Sequence, residues 1–486
     1  MITKRIMALG LALSIAASAA AQKPNYQKAY EDFKRRSLKE YDDFRDKANA
    51  SYEEFMRNAW KEYEAQTADP LPKRPEPPKP VVKDPDLGPS NDVVPVDQVI
   101  TPPAEPVAPP QPAAPVPPVP EQTARPTFAF SYYGTPCSVS LEEKHRFTLR
   151  GVDENAVADG WAQLSSDAYL PILAECLALR KELRLCDWGY VRLLERMTSS
   201  FFGAAQKNEA RLMQMYLLTQ SGYKVRIARA DRSLVLLLPS QEKIFAYPYL
   251  TINNSKYYIT DPALQNKSYM VFDREFPKER YFSLLIAEEP RLTMQEAEPR
   301  TFTAARYPEI TATVAVNRNL IDFYNEYPLN DRWNIYAKAS LSSHAKEQLY
   351  PVLRGQIEGL DKLTAANRLI NFVQTAFEYQ IDEIQFGQER PLFADETLFY
   401  PFSDCEDRAI LYSVLVRDLL GLDVVLLQYP EHLATAVYFN DDSVTGDYTT
   451  LDGKRYIVCD PTYIGASVGD AMPQFKKTAA NIIKID

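Results

Sequence analysis

The sequence predicts an α+β fold in which a helix packs on an antiparallel sheet, and it predicts that unit twice. Between Ser403 and Tyr463 a helical period gives way to three β-rich runs parted by turn residues. The same succession stands 199 residues upstream, where SGYKVRIA parallels LGLDVVLL, SLVLLLPS parallels HLATAVYF and KYYITDP parallels RYIVCDP. At 486 residues the chain has room for two or three domains.

Residues 1–21 read as an export signal. Lys4 and Arg5 form a basic start, an apolar run follows, and Ala19-x-Ala21 offers a cleavage site. The run is short for a membrane span, and no other stretch qualifies. The mature chain is expected to be periplasmic or extracellular.

Residues 24–68 carry an 11-residue repeat opening at Tyr30, Tyr41 and Tyr52, with Tyr63 starting a fourth copy. Eleven residues make three helical turns, so Tyr30/Phe33/Ser37, Tyr41/Phe44/Ala48 and Tyr52/Phe55/Ala59 form one stripe. A single helix cannot bury that stripe alone. Self-association or a partner helix is expected to cover it.

Residues 69–126 hold 20 of the 37 prolines, too many for a packed core, and predict a semi-rigid polyproline spacer. The net charge of −10 argues against a nucleic-acid partner. Five cysteines in so long a chain are not a disulfide scaffold, and the pairing of Cys176 with Cys186 is left open.

The first globular unit is placed at 127–270. It opens with FAFSYY and continues through helices at VADGWAQLSSD, YLPILAECLALRKELRL and DWGYVRLLERMTSSFFG. Residues 271–346 alternate as a small β-rich unit. The second unit, 347–486, begins with helices at QLYPVLRGQIEGLDK and TAANRLINFVQTAFEY, and a long loop then leads to Ser403.

Ser403-x-x-Glu406 reads as a capping box, which puts Cys405 in the first turn of a helix that Gly421 ends. Unpaired N–H groups and the helix dipole there favour a thiolate and can hold an oxyanion. His432 begins one strand and Asp460 ends another, so an antiparallel pairing sets those ends side by side. Cysteine as nucleophile, histidine as base and then acid, and aspartate as orienter is the chemistry this order suits. Cys459 alternates away from Asp460 and reads as core. Arg408 reads as a fold-stabilising partner of Asp407, and Gln385 in the preceding loop as a candidate oxyanion donor.

This stretch resembles the core of the transglutaminase-like cysteine hydrolase superfamily. Cys405 at a helix start, His432 at a strand start and Asp460-Pro461-Thr462 at a strand end match its pattern. His432 is followed by Leu-Ala-Thr rather than the frequent aromatic, which blurs the subfamily. The resemblance covers roughly 351–486. It implies a papain/transglutaminase-like core and a thioester route to amide hydrolysis, with peptidase activity on a protein or peptide ranked first. Action on glutamine side chains, as transglutaminase or deamidase, is the alternative, as is a non-catalytic cell-envelope scaffold. The 199-residue offset puts Gln206, Ser233 and Asp261 where Cys405, His432 and Asp460 stand, so 127–270 reads as an inactive copy. No metal motif is visible and no cofactor is expected, although carboxylates such as Asp441 and Asp442 leave calcium open.

Overall fold

The computed structural model describes residues 32, 35–36, 39–40, 42–72, 79–102, 128–261 and 268–485. The leader, Tyr30, Tyr41 and the spacer residues 73–78 and 103–126 lie outside the described residues. The fold is α+β, built from two six-stranded sheets and the helices against them.

Helix α1 covers 42–56. Strand β1 (Trp60–Glu64) follows, then β2 (Val96–Ile100) and the hairpin β3 (Phe128–Tyr132) and β4 (Thr135–Val139). Four helices come next: α2 (Glu154–Leu164), α3 (Leu170–Glu182), α4 (Asp187–Phe202) and α5 (Lys207–Gln220). The expected helices of this unit are all present. Strands β5 (Arg226–Ala230), β6 (Ser233–Pro239), β7 (Tyr249–Ile252), β8 (Ser255–Ile259) and β9 (Ser268–Phe272) complete the first sheet.

The middle region is only partly β. Strands β10 (Arg300–Thr303) and β11 (Thr311–Val314) form a hairpin, but α6 (Arg318–Asn325) and α7 (Trp333–Lys338) are helices where alternation had suggested strands. Leu320, Ile321, Phe323 and Tyr324 are buried at helical spacing, and the Asn317 side chain caps α6. Helices α8 (Ser343–Ile357) and α9 (Lys362–Thr375) lie where expected. The long loop leading to Ser403 holds β12 (Glu378–Tyr379), α10 (Asp382–Gln385), α11 (Ala394–Phe399) and β13 (Phe402–Ser403). Then come α12 (Cys405–Leu420), β14 (Asp423–Tyr429), β15 (His432–Tyr438), β16 (Tyr448–Leu451), β17 (Lys454–Cys459) and β18 (Ala480–Lys484).

The strand orders are β1-β9-β5-β6-β8-β7 and, read from the matching edge, β2-β18-β14-β15-β17-β16. Each sheet thus begins with an upstream edge strand and continues in one common succession. β6 and β15 are both seven residues long and start 199 residues apart. The edges differ in sense: β1 runs antiparallel to β9, whereas β2 runs parallel to β18. One continuous apolar core passes through both halves.

Two expectations for the N-terminal region are corrected. The helical repeat does not extend to 68, because Trp60–Glu64 pairs with the open edge of β9, Trp60 opposite Phe272. Sheet-edge hydrogen bonds outweigh continued helix there. Within α1 the buried face is Arg45, Asn49, Tyr52 and Met56: Tyr52 lies on the expected stripe, the other three lie one position after Phe44, Ala48 and Phe55, and Phe44 is exposed. The chain itself covers that face: the Tyr52 ring meets Trp161, Phe272 and Phe276 at 4.8, 4.8 and 5.2 Å. Nor is the described part of the proline-rich stretch a detached spacer. Residues 79–100 run along the second half, and β2 closes its sheet.

Candidate active site

Helix α12 begins one residue later than the capping box implied. Asp404 is its N-cap, and the Asp404 N–H donates to Asp407 Oδ2 at 3.3 Å. Ser403 belongs instead to β13, paired with Tyr379. Gly421, at φ 64°, ends the helix in the left-handed conformation that glycine adopts without strain. Cys405 is therefore the first helical residue, and α12 packs across β15.

Of the three residues singled out in the sequence, His432 and Asp460 are in contact, and Cys405 lies against the residue after His432. His432 Nε2 lies 2.8 Å from Asp460 Oδ2. The N–H of Leu433, the residue after His432, points at Cys405 Sγ from 3.4 Å, and the thiol in turn reaches Glu406 Oε2 at 3.1 Å. With Nε2 on the aspartate, Nδ1 is the ring nitrogen left to handle a thiol proton. Asp460 is itself fixed, since its Oδ1 accepts the N–H groups of Thr462 and Tyr463 at 3.0 and 3.2 Å. The Asp-Pro-Thr turn thus aims the carboxylate at the ring.

Several neighbours went unread in the sequence. Phe475 stacks on the His432 imidazole, and Tyr429 stacks on Phe475. Gln374 Nε2, from α9, donates to the carbonyls of Asp460, Tyr463 and Ala466 at 3.2, 2.8 and 3.1 Å. No local pattern marks Phe475 or Gln374, because both act across long sequence separations.

The remaining assignments divide. Gln385 is no open oxyanion donor: its Nε2 donates to Phe402 O at 3.3 Å and its Oε1 accepts the Phe402 N–H at 3.1 Å. Its amide clamps the strand leading to Cys405. Arg408 does not pair with Asp407; its guanidinium donates to Ser403 Oγ, Gln374 O and Phe377 O. Burial lowers the Arg408 pKa to about 10. Cys459 is a core residue, its thiol pushed up to about 12 by burial. Cys176 and Cys186 do not pair, and all five cysteines are thiols. Asp441 accepts the Ser443 N–H in an exposed turn and, among the described residues, belongs to no carboxylate cluster.

These three residues are covered. Cys405, His432 and Asp460 are 2, 4 and 2 % exposed. A void of only about 10 Å³ adjoins His432, bounded in part by Lys79, Pro80 and Val81. Those residues are strapped on by paired backbone bonds, Ile464 N–H to Val81 O and Lys83 N–H to Ile464 O, both 2.8 Å. Lys83 also meets Asp470 at 2.6 Å.

In the first half the corresponding positions are Gln206, Ser233 and Asp261. Gln206 is the N-cap residue of α5 and its amide goes to Phe147 O and Thr148 Oγ1. Ser233 and Asp261 line an open cavity of about 360 Å³, with Arg211 3.9 Å from Asp261. Among the described residues, no helix is long and apolar enough to cross a membrane.

No family model matches the chain, and no curated protein or solved structure is significantly similar to it.

Proposed function

We propose that this protein is an exported cysteine amide hydrolase of transglutaminase-like type. Cys405 Sγ attacks the carbonyl carbon of a peptide or protein amide, and His432 Nδ1 takes the thiol proton. The C–N bond breaks as His432 returns that proton to the leaving amine, which leaves a thioester on Cys405. Water, deprotonated by His432, then hydrolyses the thioester. Asp460 holds the ring in the required tautomer. The observation that carries this reading is the 2.8 Å His432–Asp460 bond set beside a thiol on the first residue of a helix.

The matching strand orders and the 199-residue offset support descent of both halves from one papain/transglutaminase-like core, the first having lost nucleophile and base. Residues 79–81 bound the void at His432, so on this reading the 79–83 strap lifts to admit a substrate. Peptide mixtures incubated with the parent and with Cys405→Ser test the reading. Fragments that gain water, formed only by the parent, support hydrolysis. Products that incorporate an added primary amine point to the transglutaminase alternative. No product under either condition leaves the scaffold reading.

A further inference from the structure

The first half has an open cavity where the second half is closed. The void beside His432 measures about 10 Å³, whereas the cavity at Ser233 and Asp261 measures about 360 Å³. Small-molecule sites span about 300–1,000 Å³, so this cavity has room for a small ligand. Three segments shape it: the end of α4 with the loop after it, the first two turns of α5, and the strand ends at Ser233 and Asp261. Asn208 locks α5 to the β5–β6 turn, its Oδ1 accepting the Leu234 N–H at 2.8 Å and its Nδ2 donating to Arg232 O at 3.0 Å. Packed elements therefore hold the cavity in shape.

Its lining carries more positive than negative charge. Lys207 is exposed and, among the described residues, makes no ion pair. Arg211 stands one turn further along α5 and is only 16 % exposed. Its Nη1 donates to Gln214 Oε1 at 2.9 Å. Glu195 and Asp261 both stand 3.9 Å from its guanidinium, beyond hydrogen-bond reach. A guanidinium has five N–H donors in a planar fork, so most of this fork is left for a group the described residues do not supply. In a chain of net charge −10, two cations and one carboxylate around a cavity make a local positive site that attracts an anion. Ala204, Ala210 and Leu234 add apolar wall beside them.

We propose that this cavity binds the C-terminal end of a peptide. The terminal carboxylate pairs with Arg211 and Lys207, the planar fork of Arg211 matching its two oxygens. The last side chain rests on Ala204, Ala210 and Leu234. Asp261 decides between a carboxylate and a phosphate. It leaves the lining a single net positive charge, which suits a monoanion better than a dianion. It also sets an acceptor beside the cations, where a peptide carries N–H donors next to its carboxylate. The inference goes beyond the amide-hydrolase reading and does not rest on Cys405 being a nucleophile.

The full chain carrying Cys405→Ser, in which bound peptides are not turned over, is incubated with an equimolar pool of N-acetylated tripeptides. Half of the pool has free carboxyl ends and half is the same peptides as C-terminal amides. Rapid size exclusion followed by mass spectrometry reads what the protein retains. The acids should be retained at least about tenfold over their amides, since hydrogen bonds between charged groups are the strong ones. Arg211→Gln should lower retention of the acids by about tenfold or more. Lys207→Glu should lower it several-fold and Lys207→Arg should keep it. Lys207 is exposed, so its variants fold like the parent, as a melting curve checks, and they decide the question should Arg211→Gln fold poorly. Equal retention of acids and amides, no retention of either, or retention that neither Lys207→Glu nor Arg211→Gln changes overturns the proposal. Displacement of the acids by an equal concentration of inorganic phosphate overturns it in favour of a phosphate-bearing ligand.

Discussion

The rings of His432 and Phe475 lie face to face, their centroids 5.0 Å apart and their planes 8° from parallel. Phe475 precedes β18, far from His432 in sequence, and fixes the plane in which the imidazole turns. The hydrogen bond to Asp460 fixes its direction. Together they leave the ring little freedom.

Phe475→Ala should therefore reduce catalysis more than stability. Loss of a positioning contact of this kind lowers the rate by roughly 10–100-fold, while an aromatic pair contributes only about 0.5–1.5 kcal/mol beyond its buried area. Amide turnover and urea unfolding of the same variant separate the two effects. A stability loss with unchanged turnover would show that Phe475 is merely packing.

The places of Cys405, His432 and Asp460 were legible in the sequence because each sits at an element boundary with a local signal. Cys405 follows a polar N-cap, His432 opens an apolar run and Asp460 precedes a proline. The strands of the second sheet were legible for the same reason, its hairpins being local. What escaped was long-range. The WKEYE run at 60–64 carries a helical repeat, yet it becomes a strand because β9 offers it an edge. The prolines of 79–100 announce a spacer, while their docking depends on Ile464, Asp470 and Tyr448 hundreds of residues away. Asp382 and Glu389 read as loop polarity, and only the fold brings them to Asp407 and Glu406.

The covering strap yields a second prediction. Val81 packs on Tyr463, Ala466 and Met472, and Lys83 is anchored to Asp470. Val81→Asp combined with Lys83→Ala places a charge in that apolar cluster and removes the anchor. Cys405 alkylation should accelerate several-fold, with limited proteolysis reporting exposure of 79–83. Released proteolytic sites without faster alkylation would show that the strap does not control access.

Gln374 gives a third. Its Nε2 serves three carbonyls of the loop after Asp460 from a buried position, 2 % exposed. Gln374→Leu leaves those acceptors without that donor and should cost about 1–3 kcal/mol in urea unfolding. Turnover should also fall, since the loop carries the orienting carboxylate. A neutral result in both would place the loop's support elsewhere.

A fourth concerns pH. Asp395 is fully buried, accepts the Ser342 N–H at 2.8 Å, and burial raises its pKa from 3.8 to about 6. The folded state therefore binds this proton more tightly than the unfolded state. Its contribution to stability is complete below about pH 4 and is lost as pH rises through 6, to a total of roughly 3 kcal/mol. Asp395→Asn should remove that part of the slope. Urea midpoints of both proteins from pH 4 to 7 check it, and parallel profiles would contradict it.

The central claim is that His432 acts on the Cys405 thiol. The most direct measurement is the rate of iodoacetamide alkylation at each cysteine at neutral pH, read by peptide mass spectrometry. It is made in the Val81→Asp, Lys83→Ala background with and without His432→Ala. Cys405 should react at least about tenfold faster than the buried Cys459, as a thiolate paired with an imidazole does, and should lose that advantage when His432 is removed. A Cys405 rate that is the same with and without His432 would contradict the account.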